Sequence, residues 1–503
     1  MSSSAYVLAI DQGTTSTRAI LFDAAGRIRS AAQFELAQIY PRPGWVEHDP
    51  DEIWRSVVST CREALGAADG PIAAIGVASQ RETVVLWERR TGRPVHNAIV
   101  WQDGRTAEIC RSWREGGLAQ PVSQRTGLVI DPYFSASKIR WLLDSVPGLR
   151  ERARAGEIAF GTIDSFLLWR LSGGTRHATD ATNACRTMLF DIRRLAWDQE
   201  LLDAFGIPRA ILPEVLDTGA DFGTTTRELF DAEIPVAGMA GDQHAALIGQ
   251  ACFRPGMIKS TYGTGAFVLL NIGREPAASR HQLLTTIAYR LGGETFYALE
   301  GSIFVAGATV KWLRDRLGVI AAAAETGRLA AQADSGQRVY LVPGFAGLGA
   351  PYWAPQARGA LIGLTAECGR AEIARAALEA VAYQTRDLIE AMAADVGAAV
   401  STLRVDGGMS ESNWAMQFVA DILPAVIERP VGIETTAWGA AYVAGLIRGL
   451  YPDPGTMVDQ WRPERRFVPV MPAAEREERY AGWRRAVAGA LAAAPAASAQ
   501  AGS

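Results

Sequence analysis

The fold of this chain is decided by the stretch Tyr6-Val-Leu-Ala-Ile-Asp11-Gln-Gly13-Thr14-Thr15-Ser16-Thr-Arg18-Ala-Ile-Leu-Phe22-Asp23. Two apolar runs flank a short polar turn, which predicts a β-hairpin with two buried strands. Gly13 allows the backbone to come close to a ligand, and the N–H groups and hydroxyls of the turn form a concave site for anions. Asp11 lies beside these donors, where a carboxylate and phosphate oxygens together favour Mg²⁺. An ordinary N-terminal hairpin with a polar turn is the alternative, which this stretch alone leaves open.

Length and composition exclude several classes of protein. At 503 residues the chain is long enough for about two to four domains. The formal net charge of −4 argues against a nucleic-acid-binding surface, since such affinity depends on clustered cations. No run approaches the roughly 18 apolar residues of a membrane span, and Met1-Ser-Ser-Ser-Ala lacks the features of a signal peptide. We therefore expect a cytoplasmic protein without a membrane span and without a nucleic-acid partner.

The cysteines are widely scattered and form no C-x-x-C pair. This spacing argues against the usual zinc patterns and favours reduced thiols in a cytosol. The positions are Cys61, Cys110, Cys185, Cys252 and Cys368.

Lysine is rare in this chain, and nearly all positive charge is carried by arginine. The lysines are Lys138, Lys259 and Lys311. A mechanism that needs a catalytic lysine therefore has three candidates. Sites that bind oxyanions are expected to use the planar fork of arginine instead.

A strand, a helix and a strand follow one another after the hairpin. Apolar residues at helical spacing predict a helix over 51–65, and Asp49 followed by Pro50 and Glu52 is a good helix start. Residues 71–78 form the next buried strand. This succession predicts an α/β layer.

The next polar group, Ser79-Gln80-Arg81-Glu82-Thr83, begins where that strand ends. In open α/β sheets, ligands bind at the strand ends. Arg81 and Glu82 offer forked donors and a strong acceptor, which suit a polyhydroxylated substrate. The alternative is a surface ion pair in a turn, and the local sequence alone favours that alternative.

Two aromatic residues are candidates for ligand contacts. Trp101 ends an apolar strand that begins at Ile99. It could belong to the core, but a flat ring beside the C–H face of a polyol is equally reasonable. Tyr133 lies in a turn before a helix, so its hydroxyl is free to face a ligand.

A second strand end carries a candidate base. The apolar, Gly-rich strand over 234–241 delivers Asp242 and Gln243 to its carboxyl end, and a helix follows. A carboxylate in this place can accept a proton from a bound hydroxyl. His244 is interpreted as a residue of the helix start rather than as a base.

The chain then repeats its opening pattern. Residues 257–270 again read as strand, Gly-Thr turn and strand, with Gly263 and Thr264 in the turn. We therefore predict a duplicated architecture with one domain over 1–250 and a second over 251–485. The segment 486–503, rich in Ala, Gly and Ser, is predicted to be a disordered tail.

The diglycine Gly407-Gly408 follows another predicted strand, which ends at Asp406. Such a turn lets the backbone pack closely on a flat ligand such as adenine. As an isolated pair of glycines it is a weak signal.

Several familiar sites are absent from the sequence. It contains no P-loop, no dinucleotide-binding G-x-G-x-x-G after a strand, no protein-kinase signature and no G-x-S-x-G elbow. What remains is two Gly-Thr turns, two acids at strand ends and a diglycine turn. This combination suits a nucleoside triphosphate and Mg²⁺ held between two similar domains.

These motifs, in this order, closely resemble the FGGY carbohydrate kinase family, and in particular its members that phosphorylate glycerol. The resemblance extends from about residue 6 to about residue 447. It implies an α/β fold of two ribonuclease-H-like domains, as in actin, Hsp70 and hexokinase, with a cleft between them. It also implies ATP-dependent phosphorylation of glycerol to sn-glycerol 3-phosphate, and a homodimer or homotetramer. The alternatives are a family member acting on erythritol, xylulose or a similar substrate, and an actin- or Hsp70-like ATPase switch.

The resemblance also implies roles for individual residues. Glycerol would be held by Arg81, Glu82, Trp101, Tyr133, Asp242, Gln243 and Phe267, with Asp242 as the general base. ATP would be met by Thr14, Thr15, Ser16, Arg18, Thr264, Gly307, Lys311, Gly408 and Ser412. Mg²⁺ would face Asp11 and Asp242. Lys311 and Ser412 depart from the Gln and Asn that are usual at their positions, and residues 224–233 lack the Gly-rich basic loop by which some relatives bind fructose 1,6-bisphosphate.

Overall fold

The computed structural model describes residues 5–345, 347–354 and 356–494. The strands are β1 (Tyr6–Gln12), β2 (Ser16–Asp23), β3 (Ile28–Glu35), β4 (Glu47–His48), β5 (Ile72–Ser79), β6 (Val85–Glu88), β7 (Ala98–Ile99), β8 (Ile158–Gly161), β9 (Ala178–Asp180), β10 (Phe190–Asp191), β11 (Ala196–Trp197), β12 (Glu214–Leu216), β13 (Val236–Gly241), β14 (Ile258–Tyr262), β15 (Ala266–Gly273), β16 (Leu284–Leu291), β17 (Glu294–Ile303), β18 (Tyr340–Val342), β19 (Ala360–Ile362), β20 (Thr402–Asp406), β21 (Val426–Pro430) and β22 (Pro463–Phe467).

The helices connect and cover these strands. They are α1 (Pro50–Leu65), α2 (Ala107–Glu115), α3 (Ala119–Thr126), α4 (Ser135–Ser145), α5 (Leu149–Arg154), α6 (Ile163–Leu171), α7 (Ala181–Ala184), α8 (Gln199–Phe205), α9 (Arg227–Phe230), α10 (Asp242–Gly249), α11 (Gly307–Asp315), α12 (Glu325–Gln332), α13 (Arg370–Val396), α14 (Asn413–Ile422), α15 (Thr435–Ile447), α16 (Pro454–Gln460) and α17 (Ala473–Ala492). Short 3-10 helices cover Arg209–Ile211 and Gly408–Glu411.

The opening hairpin lies at the centre of the first sheet. Strand β1 pairs antiparallel with β2 and parallel with β5, and the strand order is β13-β5-β1-β2-β3. Residues 7–10 are buried on both faces of the sheet, as the continuous apolar run predicted. Helix α1 covers one face, and the side chain of Asp49 caps its first turn by accepting a hydrogen bond from the N–H of Asp51 at 2.9 Å.

The second sheet repeats this arrangement. Its order is β16-β17-β15-β14-β20-β21-β22, and β14 pairs antiparallel with β15 and parallel with β20. Strands β21, β20, β14, β15 and β17 thus occupy the places that β13, β5, β1, β2 and β3 occupy in the first sheet. The predicted duplication is confirmed, because both halves use the same hairpin and the same parallel neighbours.

Helices α10 and α15 join the two halves. Helix α15 packs on β1, β5 and β13 of the first sheet and lies against α10. Their contact depends on glycine: a Cβ at Gly439 would lie 1.8 Å from the carbonyl oxygen of Ala245, and a Cβ at Gly249 would lie 2.0 Å from that of Thr435. Two helix backbones can approach this closely only where neither carries a side chain.

The structure corrects the prediction of a disordered tail over 486–503 for the residues up to Ala492. Helix α17 continues through Ala492, and Ala486, Val487 and Ala490 are buried in the core that surrounds the second sheet. Their helical spacing outweighs the low-complexity composition, because one apolar face finds a partner in the core. Residues 495–503 lie outside the described residues.

In the described part of the chain, no helix has the length and apolar character that a membrane span requires.

Candidate active site

A cavity of about 410 Å³ is lined by residues from both halves of the chain. The predicted site residues that line it are Thr14, Thr15, Arg81, Glu82, Trp101, Tyr133, Asp242, Gln243, Thr264, Phe267 and Lys311. The cavity is also lined by Gln38, Tyr40, Gln102 and Thr261, which are not among the predicted site residues. Residues that lie far apart in the sequence therefore line the same cavity.

Parallel pairing in the first sheet brings the strand ends together. Gln12 at the end of β1 is in register with Ser79 at the end of β5, and Ser79 is in register with Gly241 at the end of β13. The residues next to these ends, Asp11 and Asp242 among them, therefore meet at the carboxyl edge of the sheet, where α/β proteins bind ligands.

The turn that carries Arg81 and Glu82 is tight and strained. The N–H of Thr83 donates to the carbonyl oxygen of Arg81 at 2.7 Å, and Glu82 between them has a φ of 62°. A side chain other than glycine in this left-handed conformation costs about 1–3 kcal/mol and is typical of functional sites. Arg81 and Glu82 are 2% and 1% exposed, so the alternative of a surface ion pair is wrong.

Arg81 is held by a buried network that includes Arg186 and Glu300, which are not among the predicted site residues. Its guanidinium group donates to both carboxylate oxygens of Glu300, at 2.6 and 2.9 Å. Arg186 donates to Glu82 at 2.6 Å and to Glu300 at 3.0 Å. Burial raises the pKa of Glu300, but the guanidinium groups of Arg186 and Arg81 outweigh it and hold the pKa well below its usual range. The network therefore fixes Arg81 in its ionised, oriented form.

Asp242 lies at the first position of α10 and faces the cavity. Its side chain is a quarter exposed, and Nε of Arg81 lies 3.4 Å from Oδ1. The N–H of Gln243 donates to Oδ1 at 2.7 Å. Burial raises the pKa of Asp242 above its usual value despite the opposing charge of Arg81. A carboxylate with a raised pKa at a cavity wall is suited to accept a proton.

Aromatic rings form an apolar side of the same cavity. The ring of Trp101 meets those of Tyr133 and Phe267 edge to face, with centroids 5.6 and 6.1 Å apart. Nε1 of Trp101 donates to Oγ1 of Thr14 at 2.9 Å, so the ring also ties the aromatic wall to the opening turn. The hydroxyl of Tyr133 lies 3.4 Å from a guanidinium nitrogen of Arg81.

The two Gly-Thr turns have the same length and lie at the cavity. Gly13 donates to the carbonyl oxygen of Ser16, and Gly263 to that of Gly265, each at 2.9 Å. The N–H of Gly307, at the start of α11, donates to the carbonyl oxygen of Gly263 at 3.0 Å. The turns therefore bring donor-rich backbone to the cavity from both sheets.

Some residues that were predicted to contact ATP do not line this cavity. They are Ser16, Arg18, Gly307, Gly408 and Ser412. Arg18 pairs with Glu434 at 2.7 Å, and both side chains are about one-third exposed. Ser412 caps α14 by accepting a hydrogen bond from the N–H of Ala415 at 3.3 Å. A Cβ added at Gly408 would have no other heavy atom within 4 Å.

Asp11 lies beside the cavity rather than in its wall. Burial, and after it the charge of Asp242, raise the pKa of Asp11 to about 7. Two carboxylates that repel each other next to polar turns suit a cation that takes few protein ligands and several oxygens from water or phosphate. No cluster of three or more His, Cys, Asp or Glu side chains that could hold a metal occurs in the described residues.

His244 is fully buried and contacts Oγ1 of Thr286 at 3.2 Å. Burial and the neighbouring Arg81 hold its pKa well below the usual range. It lies within α10, as predicted, and does not line the cavity.

Comparison with known proteins places the chain in a family. The N-terminal domain of the FGGY family of carbohydrate kinases matches residues 6–249, and its C-terminal domain matches residues 258–447.

The chain belongs to the FGGY family of carbohydrate kinases.

Relatives of this FGGY kinase match it over nearly its whole length. It is 62% identical to the glycerol kinase of Methylobacterium nodulans, over 96% of this chain and 97% of the relative. It is 60% identical to the glycerol kinase of Bradyrhizobium sp. strain ORS 278, over 97% of this chain and 99% of the relative.

The fold of this FGGY kinase is also that of a solved structure. The crystal structure of Plasmodium falciparum glycerol kinase with ADP superposes with a TM-score of 0.90 at 35% identity, covering 97% of this chain and 98% of the other. The predicted fold class, α/β with two ribonuclease-H-like domains, is confirmed.

Proposed function

We propose that this protein is a glycerol kinase, which transfers the terminal phosphoryl group of ATP to glycerol and forms sn-glycerol 3-phosphate. One observation carries the proposal: Asp242 shares a cavity with Arg81, Tyr133 and the Gly263–Gly265 turn. A base, polyol-binding donors and an anion-binding turn are the parts that phosphoryl transfer to an alcohol needs. The names of its relatives, and the ADP in the solved structure of one, support the same reaction.

The geometry suggests how the polyol is held. The guanidinium group of Arg81 and the hydroxyl of Tyr133 supply donors, and the carboxylate of Glu82 supplies an acceptor. The rings of Trp101 and Phe267 lie where they can pack on the carbon backbone. Gln243 lies beside Asp242 and adds an amide. Together they would orient one terminal hydroxyl towards Asp242.

Asp242 would accept the proton of the attacking hydroxyl. Phosphoryl transfer passes through a loose transition state, so the proton leaves late and the protein mainly positions groups and stabilises charge. The raised pKa of Asp242 favours this role, because a more basic carboxylate accepts the proton more readily. Closure of the two halves over the cleft would exclude water, the competing acceptor.

ATP would bind with its phosphates at the two Gly-Thr turns. Thr14, Thr15 and Thr264 line the cavity there, and Ser16 and Arg18 follow on β2. The nucleoside would lie towards Gly307 and Gly408, with Lys311 and Ser412 nearby. Since Arg18 is paired with Glu434, its contact with a phosphate requires that this exposed ion pair opens.

The residues present fit the Mg²⁺ that a kinase of this family implies. Asp11 and Asp242 are the carboxylates that would face it, in part through water. When bound, Mg²⁺ neutralises charge on the phosphate oxygens.

The remaining parts of the proposal concern organisation. The domains are 1–250 and 251–485, the first binding glycerol and phosphate and the second the nucleotide. The protein is proposed to be cytoplasmic and to form a homodimer or homotetramer, which light scattering after size-exclusion chromatography tests. No nucleic-acid partner is expected.

The experiment that tests the activity measures ADP release from Mg·ATP in parallel wells. The wells contain glycerol, erythritol, xylulose or no acceptor. We expect strong stimulation by glycerol, with sn-glycerol 3-phosphate detected by its stereospecific dehydrogenase. Stimulation by xylulose but not by glycerol would move the assignment within the family. Equal turnover in all wells would favour an ATPase switch.

A further inference from the structure

Lys259 is a buried cation with two partners at the cavity wall. Its Nζ, on β14, lies 2.6 Å from Oε1 of Gln243 and 2.9 Å from Oγ1 of Thr261. Lys259 itself is fully buried, while Gln243 and Thr261 both line the cavity. Gln243 belongs to α10 of the first half of the chain and Thr261 to the second, so one ammonium group links the two sides of the site.

The chemistry of the ammonium group fixes how these partners point. Lysine has three donors and no acceptor, so the amide atom that faces it has to be the oxygen. The NH₂ group of Gln243 is thereby turned away from Lys259 and is available as a donor at the cavity wall. The side chain of Gln243 also lowers the pKa of the neighbouring Asp242. In the same way, Oγ1 of Thr261 accepts from Lys259, which leaves its hydroxyl hydrogen free to donate elsewhere.

We propose that Lys259 is a positioning residue for phosphoryl transfer, which fixes the amide of Gln243 as a donor towards Asp242 and the polyol, and the hydroxyl of Thr261 as a donor into the cavity. The inference rests on the proposed function, because it gives Lys259 a task in that reaction. Without the ammonium group, the amide of Gln243 could turn over and present its oxygen to the carboxylate of Asp242.

The charges around Lys259 are consistent with its role as a positioning residue. Burial lowers its pKa to about 8, and the opposite charge of Asp406 limits the fall, so the ammonium group stays charged at neutral pH. Arg81, Asp242 and Glu300 are the other charged groups that act on it. The charge of Lys259 in turn lowers the pKa of Asp242, although less than Arg81 does, and so partly offsets the effect of burial.

Lys138 offers a matched comparison within the same chain. It is equally buried, and burial lowers its pKa to about 8 as well. Its Nζ donates to main-chain carbonyl oxygens, at 2.7 Å to Tyr133 and at 3.2 Å to Phe134. Lys138 therefore closes the turn before α4 through main-chain atoms, whereas Lys259 binds the side chains of Gln243 and Thr261.

The first test compares Lys259→Met with the wild type and with Lys259→Arg. We expect Lys259→Met to lower kcat on the order of 10²-fold, since misplacement of the groups around a reacting centre has effects of this size. The dissociation constant for Mg·ADP should change by less than about threefold, because its contacts remain. Lys259→Arg, which keeps a charged donor, should recover part of the loss in kcat.

A double-variant cycle separates positioning from a merely structural role. If Lys259 acts through Gln243, then Lys259→Met combined with Gln243→Ala should lose no more than about threefold in kcat beyond the worse single variant. Lys138→Met combined with Gln243→Ala should instead lose the product of the two single effects. If Lys259→Met does not fold, as judged by its thermal unfolding, Lys259→Gln, which also removes the charge, takes its place in the cycle.

Two results would overturn the proposal: wild-type kcat in Lys259→Met, or independent effects of Lys259→Met and Gln243→Ala. A failure of the proposed function looks different, because the wild type itself would then lack glycerol-dependent ADP release. Should another polyol support turnover, the same variants are assayed with that polyol, since Asp242 and its neighbours would serve any attacking hydroxyl.

Discussion

Replacement of Glu300 by Gln tests whether the buried ion-pair network holds Arg81 for the substrate. Arg81 donates two hydrogen bonds to Glu300 at 2.6 and 2.9 Å, and Arg186 donates a third at 3.0 Å. All three side chains are at most 2% exposed, so solvent does not screen their charges. Removal of one partner from a buried ion pair costs about 3–5 kcal/mol. Because Gln keeps one acceptor oxygen, we expect Glu300→Gln to lower the free energy of unfolding by about 3 kcal/mol.

The same substitution should impair catalysis through Arg81. A hydrogen bond from a charged group contributes about 1.5–3 kcal/mol, so a misplaced Arg81 should lower kcat/KM for glycerol by about 10- to 100-fold. The effect on KM for ATP should be smaller, because the Gly-Thr turns remain. Urea unfolding and steady-state kinetics measure the two effects separately.

Glu47→Gln is the matched control. Glu47 is also a buried carboxylate, 4% exposed, and accepts hydrogen bonds from Arg105 at 2.7 Å and from Asn97 at 2.8 Å. It does not line the cavity. Glu47→Gln should lower stability without lowering kcat/KM. The reasoning would be refuted if Glu300→Gln lost stability but kept the kcat/KM of the wild type for glycerol.

The loss of stability in Glu300→Gln depends on pH, and the pKa of Glu300 determines the sign of that dependence. The pKa of Glu300 lies well below its ordinary value of 4.5 because Arg186 and Arg81 outweigh the effect of burial. The ionised carboxylate therefore stabilises the folded protein at pH values above about 4.5, and this stabilisation is lost as the pH falls from there towards the folded-state pKa. The stability gap between wild type and Glu300→Gln should be largest near about pH 6 and shrink below about pH 4.

Two further predictions concern the contact between α10 and α15 and the aromatic side of the cavity. Gly439→Ala should lower the free energy of unfolding in urea by about 3 kcal/mol, because its Cβ would overlap the carbonyl oxygen of Ala245. The control Gly432→Ala has open space around the new Cβ, so its free energy of unfolding should stay within about 0.5 kcal/mol of the wild type. Equal effects of the two would contradict the close helix contact. Trp101→Phe keeps a ring but loses the hydrogen bond to Thr14, so kcat/KM should fall by about fivefold; an unchanged value would show that this bond does not help to hold the turn.

Local patterns were sufficient to predict much of the fold. The hairpin around Gly13, the helix start at Asp49 and the junction of strand and helix at Asp242 all depend on neighbouring residues, and the structure has each of them. The duplication was visible because the second Gly-Thr turn, at Gly263, repeats the first. Residues 486–492 were misjudged because composition does not reveal that an apolar helix face has a partner.

The network that orients the site could not be predicted in the same way. Arg186 follows the short helix α7, and Glu300 lies within β17, and neither carries a motif. Glu300 meets Arg81, and Arg186 meets Glu82, only because pairs separated by more than 100 residues come together in the folded chain. The local sequence favoured an exposed Arg81–Glu82 pair for the same reason: the groups that bury and neutralise it are distant in sequence.

The most direct test of the central claim is the rate of glycerol 3-phosphate formation by Asp242→Asn, measured by chemical quench with saturating Mg·ATP and glycerol. The account predicts a loss on the order of 10²–10⁴-fold in that rate, because the base is removed, with the dissociation constant for ATP changed by less than about threefold. Glycerol 3-phosphate formation at the wild-type rate would contradict it, since the proton of the attacking hydroxyl would then have another acceptor.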